Sequence, residues 1–263
     1  MKVFLVFLTA GTALFAQTKA PAKSPAPAAK SAPARAPAVN PLLHPENLKS
    51  VAPASFEVKF VTTKGDIVVT VHRDWSPNGA DRFYNLAKYH YFNDNAFFRV
   101  LPGFIVQFGM APDPKVGAVW EHANIHDDAA KPGVHNTKGT LVFATAGPGT
   151  RTTQLFINTN DNSRSLDSQG FTPFGEVTEG MDVVMNLYSG YGEGADMGGR
   201  GPMQGLITSQ GKPYLDKNFP KLDSIKSATV VTAAAPAPAT KSTGATAPYV
   251  VHKSTTPPPA VKK

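Results

Sequence analysis

A mainly β domain, an eight-stranded antiparallel barrel closed on itself and capped by two α-helices, is the fold class that the sequence predicts. Two observations lead there. Between residues 55 and 232 the apolar residues gather in about eight short runs separated by Gly, Pro and Asn clusters. Only two stretches of that range carry the spacing of a helix that buries one face. Eight antiparallel strands in a domain of this size can close, and closure removes the exposed edges.

The first two runs form a hairpin. In "FEVKFVTTKGDIVVTVH", Phe56, Val58 and Phe60 alternate with Glu57 and Lys59, the chain turns at Lys64-Gly65, and an apolar run resumes from Ile67 to Val71. A helix follows in "SPNGADRFYNLAKYHY": Ser76 is a candidate N-cap, Pro77 suits the first helical position, and Ala80, Phe83, Leu86 and Ala87 share a face. Apolar runs at 96–100, 104–109, 139–144, 154–158 and 171–178 supply the next strands. "TEGMDVVMNLY" predicts a short second helix from Gly180 to Tyr188, and "KLDSIKSATVV" the last strand near 222–231. Runs that are apolar at both parities, such as 104–108, need cover on both faces.

The two ends of the chain have a different composition. Lys2 followed by an apolar run from Val3 to Ala16 is too short to span a bilayer, so residues 1–20 are expected to be a secretory signal peptide cleaved near Ala16 or Ala20; an uncleaved anchor is the alternative. Residues 21–54 and 233–263 are rich in Pro, Ala and Lys and are expected to be disordered linker and tail, flanking a single folded domain at 55–232. Export to the periplasm or the extracellular space follows as an expectation.

Charge is divided in the same way. Residues 1–54 hold six Lys/Arg against one acid and residues 233–263 hold four against none, which leaves sixteen bases against eighteen acids in the domain. A nucleic-acid-binding face on the domain is therefore not expected, whereas the basic tails allow weak attraction to an anionic envelope surface. The chain has no cysteine, which excludes disulfides and thiolate metal sites.

Chemistry is signalled by "FFRVLPGFIVQFG", residues 97–109, where Arg99 and Gln107 interrupt an apolar run. Pro102-Gly103 suits the centre of a type II turn. With a loop of Pro102 to Phe104, Arg99 and Gln107 face each other across a strand pair and share one sheet face. Snorkelling of Arg99 to solvent, or its pairing with an acid, is the structural alternative. A second stretch, "GTLVFATAGPGTRTTQLFIN" at 139–158, joins a buried strand to another that carries Gln154 and Phe156, through the small-residue turn Ala146-Gly147-Pro148-Gly149.

Together these stretches resemble the cyclophilin family of peptidyl-prolyl cis/trans isomerases. Phe97, Arg99, Phe104, Gln107 and Gly109 match the family pattern F-H-R-x-I-x-x-F-M-x-Q-G-G, and Ala144, Ala146, Gly147, Pro148, Thr150, Gln154, Phe156 and Ile157 match A-x-A-G-P-x-T-x-x-S-Q-F-F-I. "FTPFGEVTEGMDVV" is similar to a third family segment, so the resemblance spans about 55–231 in the expected order. It implies the family's eight-stranded barrel with a helix at each end.

The resemblance also implies roles. Arg99 would be the catalytic residue, and Phe104, Ile105, Phe156 and Leu166 would line a proline pocket. Gln107 would bond the substrate backbone or orient Arg99, and Ala144, Thr145 and Gln154 would flank the peptide groove. The sequence departs from the family where the usual His is Phe98, the usual Met is Ile105, the ligand-contacting Trp falls near Ser165, and a second usual His falls near Phe171. The loss of the Trp argues against tight cyclosporin binding.

These residue types suit the reaction. Rotation about a peptide bond faces a barrier of ~18–20 kcal/mol, and the Xaa-Pro bond is the one with an appreciable cis population. In the twisted transition state the proline nitrogen becomes pyramidal and gains a lone pair, so a donor aimed at it stabilises the transition state above either ground state. A guanidinium is always charged and offers a fixed fork of donors. No cofactor or metal is expected.

Expected partners are unfolded or flexible proline-containing polypeptides, bound by a monomer that assists the folding of exported proteins. A cyclophilin-shaped module that binds proline-containing peptides but catalyses little is the alternative. Two other features carry less. The Gly-rich segment 189–220 lacks Walker or Rossmann spacing and is expected to be an irregular loop. His122, His126, Asp127 and Asp128, with His135 beyond, are metal-capable residue types in a stretch expected to be a solvated surface.

Overall fold

The structure, a computed structural model, describes residues 40–231. The expected signal peptide at 1–20, the linker from 21 to 39 and the tail at 233–263 lie outside the described residues.

The strands are β1 (Ser55–Thr62), β2 (Asp66–His72), β3 (Arg99–Leu101), β4 (Ile105–Phe108), β5 (Thr140–Phe143), β6 (Leu155–Asn158), β7 (Pro173–Glu179) and β8 (Ile225–Val231). They form one eight-stranded sheet in the order β3-β4-β6-β5-β7-β2-β1-β8, and every neighbouring pair is antiparallel. The expected eight strands are present, but the expected closed ladder is not: β3 and β8 end the sheet, which curls into a half-barrel. Across the gap Ala96 and Ser224, just outside those strands, make an antiparallel bridge, and the Asp94 amide donates to the Ile225 carbonyl at the start of β8 (2.8 Å). Strand length explains this, since β3 has three residues and cannot extend a ladder along the seven of β8.

The hairpin of β1 and β2 pairs Phe60 with Ile67 and Val61 with Asp66, and alternate residues Phe56, Val58, Phe60, Ile67, Val69 and Val71 enter the core. Large aromatic side chains fill that core. Phe60 meets Phe83, Phe92 and Phe108 edge-on, with ring centroids 5.8–6.2 Å apart, a geometry that aligns ring edges with ring faces.

Among the described residues six α-helices accompany the sheet: α1 (Pro77–Lys88), α2 (Pro114–Trp120), α3 (Ser163–Leu166), α4 (Met181–Met185), α5 (Gln204–Gln210) and α6 (Lys212–Asn218). Helices α1 and α4 are the two expected. The second is shorter than predicted, because Gly180 stands before it in a left-handed conformation (φ +80°) and the helix ends at Met185.

Segment 189–220, expected as an irregular loop, contains α5 and α6. Their Ile207 and Leu215 are buried together with Phe98, and Tyr214, Phe219 and Leu222 pack around them. These apolar residues are spread among glycines and polar residues, so no helical stripe was evident in the sequence.

The folded unit also begins earlier than residue 55. Two 3-10 turns, Pro41–Leu43 and Pro45–Asn47, lead into a segment that buries Leu48 and Ala52. Trp120 Nε1 donates to the Leu42 carbonyl (2.7 Å), and Asn85 exchanges hydrogen bonds with the backbone of Ser50 (3.1 and 2.7 Å). Residues 40–54 are thus part of the domain, anchored by α1 and α2, whereas their composition placed them in the linker.

Ser76 precedes α1 as predicted but does not cap it. Its hydroxyl instead donates to Asp128 Oδ2 (2.5 Å), and Asp128 accepts from the Asn78 and Gly79 amides (2.9 and 3.0 Å) at the helix start. Asp128 also pairs with Arg151 at 3.0 Å, both side chains being about 5 % exposed or less. Of the other residues in the "EHANIHDD" stretch, Asp127 pairs with Arg151 Nε at 3.1 Å. Among the described residues, no cluster of three metal-capable side chains forms there.

Burial opposes the charge of Asp128, yet the hydrogen bonds from Ser76, the two amides and Arg151 outweigh it and hold the carboxyl below its ordinary range. Its contribution to stability is therefore complete above the unfolded carboxylate range, near about pH 4, and is lost as pH falls through the lower folded value. Asp128→Ala is expected to cost about 2–3 kcal/mol at pH 7, because the buried Arg151 keeps only the more exposed Asp127 as a carboxylate partner and the Asn78 and Gly79 amides lose their acceptor. Urea denaturation of both proteins from pH 7 downward checks this: the gap should shrink in acid, and a gap constant to below pH 3 would contradict the assignment.

Candidate active site

Strand alternation builds the site. Along β4, Val106 and Phe108 enter the main core while Ile105 and Gln107 point to the other face; along β6, Leu155 and Ile157 enter and Phe156 faces out. In β5, Leu141 and Phe143 face inward and Val142 outward. The outward set, Ile105, Val142, Phe156 and Leu166, forms a second apolar cluster, with Phe104, Ala144 and Phe171 packed on it. This explains why the strands read as apolar at both parities.

The predicted turn is present. Gly103 has φ +76°, the Phe104 amide donates to the Leu101 carbonyl (3.0 Å), and the register places Arg99 opposite Gln107. Arg99 Nη1 donates to Gln107 Oε1 at 3.0 Å. Because a guanidinium only donates, Gln107 must turn its oxygen toward Arg99 and its amide away. Its Nε2 donates to Gln154 Oε1 (2.9 Å), and Gln154 Nε2 donates to Gln204 Oε1 (3.0 Å). One charge thus orients three amides in series.

A cleft of roughly 480 Å³ opens over this row, within the range usual for small-ligand sites. Of the residues singled out in the sequence, Arg99, Phe104, Ile105, Gln107, Ala144, Thr145, Phe156, Leu166 and Phe171 all line it, as does Ser165. Gln154 lines a continuation of the groove with Ala144, Thr145 and Ala146. Phe171 meets Phe156 edge-on at 5.6 Å. Phe98 does not join the cleft; it is buried against α5 and α6.

A polar network fixes the pocket rim. Asn162 Nδ2 donates to the Phe104 carbonyl (2.8 Å) and to Asn158 Oδ1 (2.7 Å), and Asn158 Nδ2 donates in turn to Asn136 Oδ1 (3.1 Å). Asn136 Nδ2 donates to the Phe171 carbonyl (2.7 Å) and to Asp167 Oδ1 (2.8 Å). Burial works against the Asp167 charge, but Asn136 and His135 supply enough hydrogen bonds to hold its carboxyl low. The positions of Phe104 and Phe171 are therefore tied to one another through the backbone. The Asn-rich run "INTNDNS" was the available signal for this network.

Sequence reasoning missed the contribution of segment 193–204. Met197 and Gln204 line the cleft, and Glu193 forms a two-point ion pair with Arg99, Nε to Oε1 at 2.6 Å and Nη2 to Oε2 at 2.7 Å. Arg99 is the larger cause that holds the Glu193 carboxyl below its ordinary range.

Comparison with known proteins identifies the family. The family model "Cyclophilin type peptidyl-prolyl cis-trans isomerase/CLD" matches residues 57–205. The peptidyl-prolyl cis-trans isomerase B of Escherichia coli is 37% identical over 48% of this chain and 80% of its own length. A peptidyl-prolyl cis-trans isomerase of Acinetobacter baylyi is 36% identical over 50% of this chain and 71% of its own. In fold, the chain is similar to a cyclophilin-type isomerase of Cryptosporidium parvum, with a TM-score of 0.50 at 18% identity, over 68% of this chain and 98% of that one. The chain belongs to the cyclophilin-type peptidyl-prolyl cis-trans isomerases, and its activity is the cis–trans isomerisation of peptidyl-prolyl bonds.

Proposed function

We propose that Arg99 is the catalytic residue of this isomerase and that its clients are flexible, proline-containing segments of exported proteins. The observation that carries the first part is the placement of the guanidinium: it is held by Gln107 at the edge of a cleft whose floor is Ile105, Phe156 and Leu166. A proline ring buries its methylenes against that floor with Phe104 as a side wall. The chain on one side of the Xaa-Pro bond is then gripped while the other side turns.

As the bond twists, amide resonance is lost and electron density returns to the proline nitrogen as a lone pair. A donor from Arg99 to that nitrogen is strong in the twisted state and weak in both planar states, which is the condition for acceleration. Gln107 keeps the fork in plane, and Ala144, Thr145 and Gln154 border the groove along which the substrate backbone runs. No bond to the substrate is made or broken, so no nucleophile, metal or cofactor is required.

Export is supported by Lys2 followed by the apolar run Val3–Ala16. The wide cleft, rimmed by uncharged Ser165, Gln169, Thr145 and Gln204 beside the Arg99–Glu193 pair, suits extended chains of varied sequence better than one fixed ligand. Basic tails would add weak attraction to an anionic envelope surface.

Two outcomes are expected when the cis-to-trans rate of an Ala-Xaa-Pro-Phe peptide is followed. Arg99→Ala should lower kcat about 100- to 1,000-fold with little change in KM. Phe156→Ala should mainly raise KM, by about tenfold, since it removes pocket surface and leaves the donor in place. An Arg99→Ala protein as fast as the wild type would refute the role of Arg99 and leave the activity standing. N-terminal sequencing of the exported protein should begin after Ala16 or Ala20; a start at Met1 would instead favour an uncleaved anchor.

A further inference from the structure

We infer that Glu193 is a positioning residue for the isomerase reaction, an assignment that rests on Arg99 as the catalytic donor. A guanidinium carries five N–H donors in a plane, and three are already engaged: Nε and one Nη2 hydrogen by Glu193, one Nη1 hydrogen by Gln107. The two that remain sit on Nη1 and Nη2, and only those are free to meet a proline nitrogen. Gln107 alone holds one point of a plane on a long, rotatable stem. Two further points from Glu193 remove rotation about the end of that stem, and a side chain that is 16 % exposed keeps them dry enough to matter.

The segment around Glu193 is constructed to hold the carboxylate there. Glu193 Oε1 also accepts from the Gly194 amide (2.9 Å), and its carbonyl accepts from the Gly201 amide (2.7 Å). Gly194 and Gly201 form a parallel bridge, and the Gly199 amide donates to the Gly194 carbonyl (2.9 Å), closing the segment on itself. A β-carbon on Gly201 would come within 2.9 Å of the Glu193 carbonyl oxygen, so glycine is needed at this close approach. The Gly-rich composition that suggested an irregular loop is thus the condition for placing one carboxylate against one arginine.

A purely structural ion pair and a positioning pair differ in what they change. If Glu193 only braced the fold, Glu193→Ala would lower the unfolding midpoint and leave turnover of the folded protein alone. As a positioning residue it should lower kcat for the Ala-Xaa-Pro-Phe peptide about tenfold or more, with KM changed less than about twofold. Glu193→Gln, which offers one acceptor where the arginine presents two donors, should fall between wild type and Ala. Gly201→Ala, which displaces Glu193 without removing it, should lower kcat in the same way.

The decisive arm is a double-mutant cycle. Glu193→Ala introduced into Arg99→Ala should have no further effect on kcat, because its action passes through Arg99. Equal or raised kcat in Glu193→Ala would overturn the inference, and so would full additivity in the cycle. A wild-type rate in Arg99→Ala alone would instead refute the catalytic role of Arg99, so the two failures are separable.

Discussion

Everything in this domain depends on the period of two in its strands. In β4 and β6 the odd and even residues serve different masters: Val106, Phe108, Leu155 and Ile157 complete the main core, while Ile105, Gln107 and Phe156 make the cleft. A slip of one residue would exchange the two sets and bury Gln107 among phenylalanines. The core pins the register, and the register places the site. That is how a cleft with a charged rim can be held by a sheet whose own contribution to it is largely apolar.

Arg99 sits where three constraints meet. The Pro102-Gly103 turn sets it opposite Gln107, the row Gln107–Gln154–Gln204 takes its orientation from it, and Glu193 holds it from the far side. The cost of partly burying a guanidinium is offset by three hydrogen bonds to fixed acceptors, two of them from a carboxylate. What the arrangement leaves over is a pair of donors at the mouth of an apolar pocket.

Much of this was legible in the sequence. Alternation and turn residues located all eight strands and α1, and the facing of Arg99 and Gln107 followed from loop length alone. The barrel was expected to close because strand counting is blind to strand length, and three residues of β3 cannot complete a ladder. Other features arise from contacts distant in sequence. Asp128 reaches back across the fold to the start of α1, and residues 40–54 are ordered by α1 and Trp120. The departure at Phe98 also has its answer in a remote segment: α5 and α6 cover that position, so an apolar ring stands where an imidazole would need a buried partner. Glu193 was hidden for a similar reason, since glycine-rich composition gives no sign of what it brings close.

The central claim is that a fixed donor fork, and not merely a positive charge, accelerates the rotation. Arg99→Lys separates the two, because lysine keeps the charge and loses the planar fork. Exchange spectroscopy of an Xaa-Pro peptide with each protein at equal occupancy measures the on-enzyme interconversion rate directly. That rate should fall at least about tenfold in Arg99→Lys; a lysine protein that interconverts the bound peptide as fast as the wild type would contradict the account.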